Sequence, residues 1–259
     1  MPPAALLGRA LAALVAVLLL AGCGGGADGE ARSAAAAGPE EGGASLWVTR
    51  DAGSEVLLTA RVPAGDSALQ ALDRHADLET RYGGRFVQAV DGIEGSLEEQ
   101  RDWFYFVNGV EPGIGAADVE LREGDVVWWD YRDWSRRMAA PVVVGAFPEP
   151  FLHGWGGERR PAKVEAPAGF EAEAEALAGV LGGGNGEGEP NVFRLVVEAG
   201  ASGATLEARR GAADGSPVTF TLAGSEVAVR AAARALAADP ALVRYRYTAK
   251  FDESGEVVE

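Results

Sequence analysis

The chain has 259 residues, of which 24% are charged, and its formal net charge is −16 at pH 7. This acidic balance argues against a nucleic-acid partner and against electrostatic adhesion to anionic lipid. Cys23 is the only cysteine, so an intrachain disulfide is excluded.

An apolar run from Ala10 to Ala21 follows Arg9 near the N-terminus. Its twelve residues suit the apolar region of a signal peptide and are short for a membrane span. The run leads into the letters LAGC, which are similar to a bacterial lipobox. That resemblance implies a lipoprotein signal peptide over residues 1–22 and diacylation of the Cys23 thiol. An ordinary secretory signal with an incidental cysteine is the alternative.

The next segment, residues 23–44, is small and polar and cannot form a core, which indicates a flexible tether. After it the chain is long enough for two small domains. Turn signals and composition predict these over residues 45–139 and 140–251. An acidic tail over residues 252–259 is expected to be frayed.

The first domain alternates strand-like runs with one short helix. In chain order the runs are LWVTRD, EVLLTARVP, the helix DSALQALDRHAD, then RFVQAVDGI, WFYFV and VVWWDY. Ser67 and Gln70 have the spacing of a capping box at the start of the helix. Two strands, a helix and further strands resemble a β-grasp arrangement.

The last two of these strands are strongly aromatic. Alternate side chains of a strand face opposite sides of a sheet. Trp103 and Tyr105 therefore share one face, while Phe104 and Phe106 share the other, and the last strand alternates in the same way. Aromatic residues on both faces indicate a second apolar surface, covered either by another domain or by a flat ligand.

The second domain begins with PVVVGAFPEPF, strand-like until its prolines interrupt it. The following runs are AKVEA, FEAEAEALAGVLG, NVFRLVVEA, ATLEARR, PVTFTLAG, SEVAVRAAARALAAD and VRYRYTAKF. They predict strand, helix, strand, a hairpin, a helix with Ser225 as its N-cap, and a final strand. The predicted class of the chain is therefore α+β, with a small α/β sandwich of ferredoxin-like order as the second domain.

Residues from about 46 to 134 carry a series of motifs that together resemble a bacterial domain family of uncharacterised function. The motifs are Val62-Pro63-Ala64-Gly65, Asp91-Gly92-Ile93, Trp103 to Gly109, Gly115 to Asp118, Glu123-Gly124-Asp125 and Trp128 to Tyr131. That family is related to the C-terminal β domain of transcobalamin and intrinsic factor. In those vitamin carriers the β domain closes over cobalamin, and an α-helical barrel holds the other side. The resemblance implies a corrinoid ligand here, with the second domain or a partner in place of the barrel.

Three aromatic residues near the end of the last strand are the expected exposed ones: Trp129, Tyr131 and Trp134. The reason is that charged residues surround them in the sequence, namely Arg132, Asp133 and Arg136. An aromatic edge flanked by charges suits a large planar ligand with amide groups. Packing of the same residues against the second domain is the alternative.

His153 and Trp155 complete the predicted ligand site, in a Gly- and Pro-rich connection between the domains. An imidazole there is able to coordinate a metal such as the cobalt of a corrinoid. A loop histidine with its hydrogen bonds satisfied is the plainer interpretation. No second His or Cys lies near it in the sequence, so a structural zinc site is not expected.

The sequence lacks Gly-x-Ser-x-Gly, His-Glu-x-x-His and phosphate-loop motifs. Catalysis is therefore not expected, and no cofactor is required. The leading hypothesis is a lipoprotein on the outer face of the bacterial cytoplasmic membrane that binds cobalamin or another bulky planar ligand and delivers it to an importer. The competing hypothesis is a cell-surface interaction or scaffold module with no small-molecule ligand.

Overall fold

A computed structural model describes the chain over residues 43–135, 138–183, 186–213 and 215–258. The predicted signal peptide, the lipidation of Cys23 and almost all of the tether lie outside these residues and stay predictions. In the part of the chain that is described, no helix is long and apolar enough to span a membrane.

The last two residues of the predicted tether belong to the fold. The carbonyl oxygen of Gly43 accepts a hydrogen bond from Gly124 N at 3.0 Å. Ala44 is fully buried and begins the first strand. The fold therefore starts two residues earlier than the sequence predicted, because this backbone is paired rather than solvated.

The described residues form an α+β fold, and we call residues 43–139 the first lobe and residues 140–258 the second lobe. The first lobe contains β1 (Ala44–Arg50), β2 (Glu55–Val62), α1 (Ala68–Asp73), β3 (Leu78–Arg81), β4 (Phe86–Val90), β5 (Ile93–Glu94), β6 (Arg101–Val107) and β7 (Val126–Asp133). The predicted capping box starts α1, since Gln70 N donates to Ser67 Oγ at 3.1 Å and Ser67 N donates to Gln70 Oε1 at 2.8 Å.

Four strands of the first lobe form a mixed sheet in the order β2-β1-β7-β6. The central strands β1 and β7 are parallel, and each has an antiparallel neighbour on its outer side. The small sheet β3-β4-β5 lies against one face. On that face Trp103 Nε1 donates to Ile93 O at 2.9 Å, and Tyr131 Oη donates to Glu94 O at 3.0 Å.

The opposite face of the first sheet is covered by the second lobe. Phe106 and Trp128 are fully buried there and contact the ring of Tyr247, with centroids 5.6 and 5.5 Å away. Val143 belongs to the same cluster. The predicted alternation of aromatic faces is confirmed, and the second apolar surface is covered by the chain itself.

A buried carboxylate stabilises this seam between the lobes. Asp130 is completely buried and accepts hydrogen bonds from Thr49 Oγ1 at 2.5 Å and from Tyr247 Oη at 2.9 Å. Burial raises the pKa of Asp130 above its ordinary value, and these hydrogen bonds oppose that shift. The Tyr247 bond joins the two lobes through one polar contact inside an apolar seam.

The second lobe contains β8 (Ala162–Glu165), α2 (Glu171–Val180), β9 (Asn191–Val197), β10 (Ala204–Arg210), β11 (Val218–Gly224), α3 (Glu226–Ala238) and β12 (Ala249–Phe251). Its sheet has the order β12-β10-β11-β9-β8. The predicted hairpin of β10 and β11 and the Ser225 N-cap of α3 are confirmed. A ferredoxin-like order is not confirmed: in that fold each βαβ unit is split by another strand, whereas β8 and β9 pair directly in parallel.

Three stretches of the second lobe differ from the prediction. Residues 141–151 run as turns and bends rather than a strand, apart from one isolated antiparallel bridge between Val142 and Val110. Val143 and Val144 are buried by packing, outside any sheet. The final strand covers only Ala249–Phe251. The acidic tail is folded, because Asp252 Oδ1 accepts hydrogen bonds from two backbone N–H groups of residues 254 and 256.

Candidate functional site

A cavity of about 420 Å³ opens between the two lobes. The first lobe contributes the end of β6 with Val107, and the loop between β6 and β7 with Ile114 and Asp125. The second lobe contributes the loop of residues 153–157, including Trp155. Small-molecule pockets of proteins have volumes of about 300–1,000 Å³ and are mainly apolar with a few polar groups.

Asn108 joins the two walls of this cavity. Its side-chain Nδ2 donates to Asp125 Oδ1 and to Gly154 O, both at 2.7 Å, and its Oδ1 accepts from Val126 N at 2.8 Å. The residue is 1% exposed and has a φ of 52°. Asn108 and Gly109 form the turn that ends β6, and the Asn108 side chain also fixes the second-lobe loop to the first sheet.

Replacing Asn108 by alanine is expected to lower the free energy of unfolding by about 2 kcal/mol, since two buried groups and one half-buried group lose their partner. Asn108→Gly is the matched variant, because glycine tolerates positive φ and so isolates the hydrogen bonds. Urea unfolding of both variants measures the effect. A glycine variant as stable as the original protein would contradict this role.

His153 is held by a buried carboxylate. Its Nδ1 lies 2.5 Å from Glu149 Oε1, and its backbone N–H donates to Glu149 Oε2 at 2.9 Å. Glu149 is 4% exposed, so the carboxylate is fixed behind the imidazole. On the other side, the imidazole packs on Gly124, where a Cβ atom would lie only 2.4 Å from Nε2.

The Glu149 carboxylate also sets the charge of the imidazole. Its hydrogen bond with Nδ1 raises the pKa of His153 above the ordinary 6.5, against the opposing effect of partial burial. Because the folded-state pKa is raised, the contribution of this pair to stability is fully present below the unfolded pKa. It is lost as the pH rises through the folded pKa of His153.

We expect an NMR titration of the His153 ring to give a pKa above 6.5 in the original protein, and a return toward 6.5 in Glu149→Gln, about the value of a free histidine. The difference in unfolding free energy between the two proteins should shrink as the pH rises through that folded pKa. The same titration midpoint in both proteins would show that Glu149 does not control the charge of His153.

Arginine side chains support the rest of the loop. Arg122 Nη1, from the first lobe, donates to Gly157 O at 2.9 Å. The guanidinium of Arg210 lies 4.8 Å from the ring centroid of Trp155, within cation–π distance. The half-buried indole of Trp155 therefore lies in the cavity wall with a guanidinium beside its ring.

The predicted exposure of Trp129 and Tyr131 is wrong. Their side chains are 3% and 8% exposed, and they pack in the core of the first lobe. The charged neighbour Arg132 did not indicate solvent, since it is itself 4% exposed and its guanidinium lies 3.7 Å from the ring centroid of Phe104. Trp134 is half-buried and does not line the cavity.

His153 and Trp155 do line the cavity, side by side in one loop. Sequence reasoning missed three partners of this site: Glu149, Gly124 and the side chain of Asn108. In the sequence, Asn108 and Gly124 stood out only as members of the motifs Trp103 to Gly109 and Glu123-Gly124-Asp125. A Pro-flanked Glu149 four residues before His153 was the one local signal that could have indicated the carboxylate.

The described part of the chain holds no group of three or more His, Cys, Asp or Glu side chains that could bind a metal ion together. His153 could therefore contribute one ligand to a metal that a bound molecule already carries. A metal chelated by protein side chains alone would need more of them than meet here.

Residues 65–133 match the sequence profile of a domain of unknown function, DUF4430. The predicted resemblance of this region to an uncharacterised domain family is thus confirmed. The match runs from the loop before α1 to the end of β7 and covers most of the first lobe. It does not extend to the second lobe.

Two solved structures are similar to part of the chain. A candidate metal-binding protein from Ruminococcus gnavus ATCC 29149 is 17% identical with a TM-score of 0.30, over 36% of this chain and 98% of that chain. Haptocorrin in complex with Cbi, a transcobalamin-family protein, is 17% identical with a TM-score of 0.28, over 35% of this chain and 25% of that chain. No curated protein sequence matches this chain significantly.

Proposed function

We propose that this chain is a lipid-anchored, non-catalytic binding protein on the outer face of the bacterial cytoplasmic membrane. It binds a corrinoid or another bulky planar ligand in the cavity between its lobes and hands it to an importer. The observation that carries the proposal is the pairing of an imidazole and an indole, His153 and Trp155, in a wall of that cavity.

The lining suits a ligand that is flat and carries amide groups. Trp155, Val107 and Ile114 offer apolar surface for one edge of a ring system. Asp118 and Glu120 are exposed at the same cavity, so their carboxylates are available to accept amide N–H groups. At about 420 Å³ the cavity takes one side of a corrinoid, and the rest of the molecule stays outside.

The surroundings of His153 suit an imidazole that binds a metal ion. A histidine that binds a metal through one ring nitrogen usually donates its other N–H to a carboxylate, and Glu149 is in that position. In the neutral form of the ring, proton donation from Nδ1 leaves the lone pair of Nε2 for coordination. Cobalt in a corrinoid brings its remaining ligands with it, so a single imidazole suffices.

The first lobe would be a β-grasp-like domain of the transcobalamin C-terminal type. This description is supported by the parallel pairing of the first and last strands, β1 and β7, in the middle of the sheet. The loop of residues 153–157 would take the role of the missing barrel as a second wall. The lipid anchor rests on the lipobox-like letters that end at Cys23.

A scaffold without a small-molecule ligand is the second candidate. It is favoured by the closed apolar seam, in which Phe106 and Trp128 are fully buried against the second lobe. In that case the cavity would be a gap at the edge of the seam, and a protein would be the partner.

Calorimetric and tryptophan-fluorescence titrations with cobinamide and with cobalamin test the proposal, on a protein that starts at Ala37 and so keeps every described residue. Trp155→Ala should weaken binding about tenfold or more, since a large aromatic contact is lost. Trp134→Ala is the matched control, because Trp134 does not line the cavity, and it should bind normally. Absence of heat and of any fluorescence change, corrected for ligand absorbance, would overturn the proposal.

A further inference from the structure

The hairpin of β3 and β4 ends in an exposed aromatic pair. Tyr82 is 81% exposed and Phe86 is 39% exposed. Their rings meet edge to face, with centroids 6.2 Å apart. Large aromatic side chains exposed together at one hairpin tip indicate a contact surface rather than a core.

Two arginines flank this pair. Arg81 makes an exposed ion pair of 3.4 Å with Glu94, which is a weak interaction. Arg85 makes no hydrogen bond or ion pair within the described residues. Although the chain is strongly acidic, charges beyond about 8–10 Å are screened at physiological salt, so Arg85 leaves a positive charge beside the aromatic pair.

The tip borders the cavity. A Cβ atom on Gly115 would lie 3.9 Å from Arg85 O, and the neighbouring Ile114 is 57% exposed and lines the cavity. The point at which the chain enters the fold borders it as well, since Ser45 N donates to O of the lining residue Asp125 at 2.7 Å. The hairpin tip and the point of chain entry therefore each lie next to the loop that lines the cavity.

We propose that this hairpin tip is a membrane-contact surface that places Tyr82 and Phe86 in the headgroup region of an anionic bilayer. Tyrosine and other amphipathic side chains favour that region, and arginines near it are attracted by anionic headgroups. The contact turns the cavity toward the membrane. The role of this orientation in ligand transfer rests on the proposed function. The membrane contact itself requires neither the ligand nor the lipid anchor.

Vesicle sedimentation tests the contact on the protein that starts at Ala37, which lacks Cys23. It should sediment with vesicles of phosphatidylglycerol and phosphatidylcholine at low salt, and much less with phosphatidylcholine alone. Arg85→Glu should weaken binding about fivefold or more. The double variant Tyr82→Ser/Phe86→Ser should weaken it about tenfold or more, since two apolar side chains lose their burial.

Matched controls lie in the second lobe. Val227 is 62% exposed on α3, and the side chain of Arg209 is 84% exposed on β10. Val227→Ser and Arg209→Glu remove similar groups far along the chain and should sediment normally. The proposal would be overturned if the original protein did not sediment with anionic vesicles. It would also be overturned if both tip variants sedimented as much as the original protein.

Cobinamide calorimetry on the same preparations separates the tip from the cavity. Tip variants should bind cobinamide as the original protein does. Sedimentation without any heat from cobinamide would support the membrane contact and contradict the proposed ligand. Heat from cobinamide without sedimentation would support the proposed ligand and contradict the membrane contact.

Discussion

Replacing Trp129 by alanine is expected to lower the free energy of unfolding by about 3 kcal/mol, and to leave the ligand affinity of the folded protein unchanged. Trp129 is 3% exposed and stacks on Tyr105 with ring centroids 5.0 Å apart. The loss falls at the lower end for a buried tryptophan, because its Nε1 is buried with no hydrogen-bond partner among the described residues. Removing that unmet donor offsets part of the lost packing.

Trp155→Ala provides the matched comparison for this prediction. Trp155 is half-buried in the cavity wall. Its replacement by alanine should therefore lower the free energy of unfolding by about 1 kcal/mol and remove most of the affinity for cobinamide. Chemical denaturation and calorimetry on both variants give the two quantities. A Trp129 variant that keeps its stability but loses affinity would return Trp129 to the ligand site.

Gly53→Ala is expected to destabilise the protein by about 3 kcal/mol, because backbone strain and a steric clash add together. Gly53 has a φ of 81°, and a Cβ there would lie 1.6 Å from Tyr245 O in the second lobe. The turn between β1 and β2 can approach the second lobe this closely only without a side chain. The variant should therefore loosen the seam that buries Trp128.

Gly65→Ala separates the two causes. Gly65 has a φ of 92°, and a Cβ there would meet nothing within 4 Å. It should cost about 1 kcal/mol, from backbone strain alone. Thermal or urea unfolding of both variants measures the difference, and equal losses would show that contact between the lobes at Gly53 contributes no stability.

Local patterns predicted most of the strands and helices. The capping box of Ser67 and the N-cap Ser225 are signals within one turn of chain, and the alternation in WFYFV and VVWWDY is a property of single strands. The apolar segment around Val143 was misjudged because burial by packing and burial in a sheet leave the same apolar letters. Val143 is buried because it packs against Phe106 and Trp128 of the first sheet. These residues are distant from it in the sequence, so local patterns do not reveal the contact.

The candidate site was predictable only in part, for a similar reason. His153 and Trp155 stand out in a Gly- and Pro-rich loop, where exposed functional residues are common. Trp129 was misjudged because Arg132 suggested solvent, whereas its guanidinium is buried over an aromatic ring. The three hydrogen bonds of Asn108 join groups up to 46 positions apart, so no sequence spacing indicates them.

The central claim, that His153 in the cavity between the lobes meets the metal of a corrinoid, is tested most directly by the absorption spectrum of aquocobinamide titrated with the protein. We predict that the corrin bands shift as they do with free imidazole. His75→Ala should retain the shift, since the other histidine of the chain lies exposed just after α1, and His153→Ala should abolish it. An unchanged spectrum with the original protein, or a shift that His75→Ala abolishes and His153→Ala retains, would contradict the account.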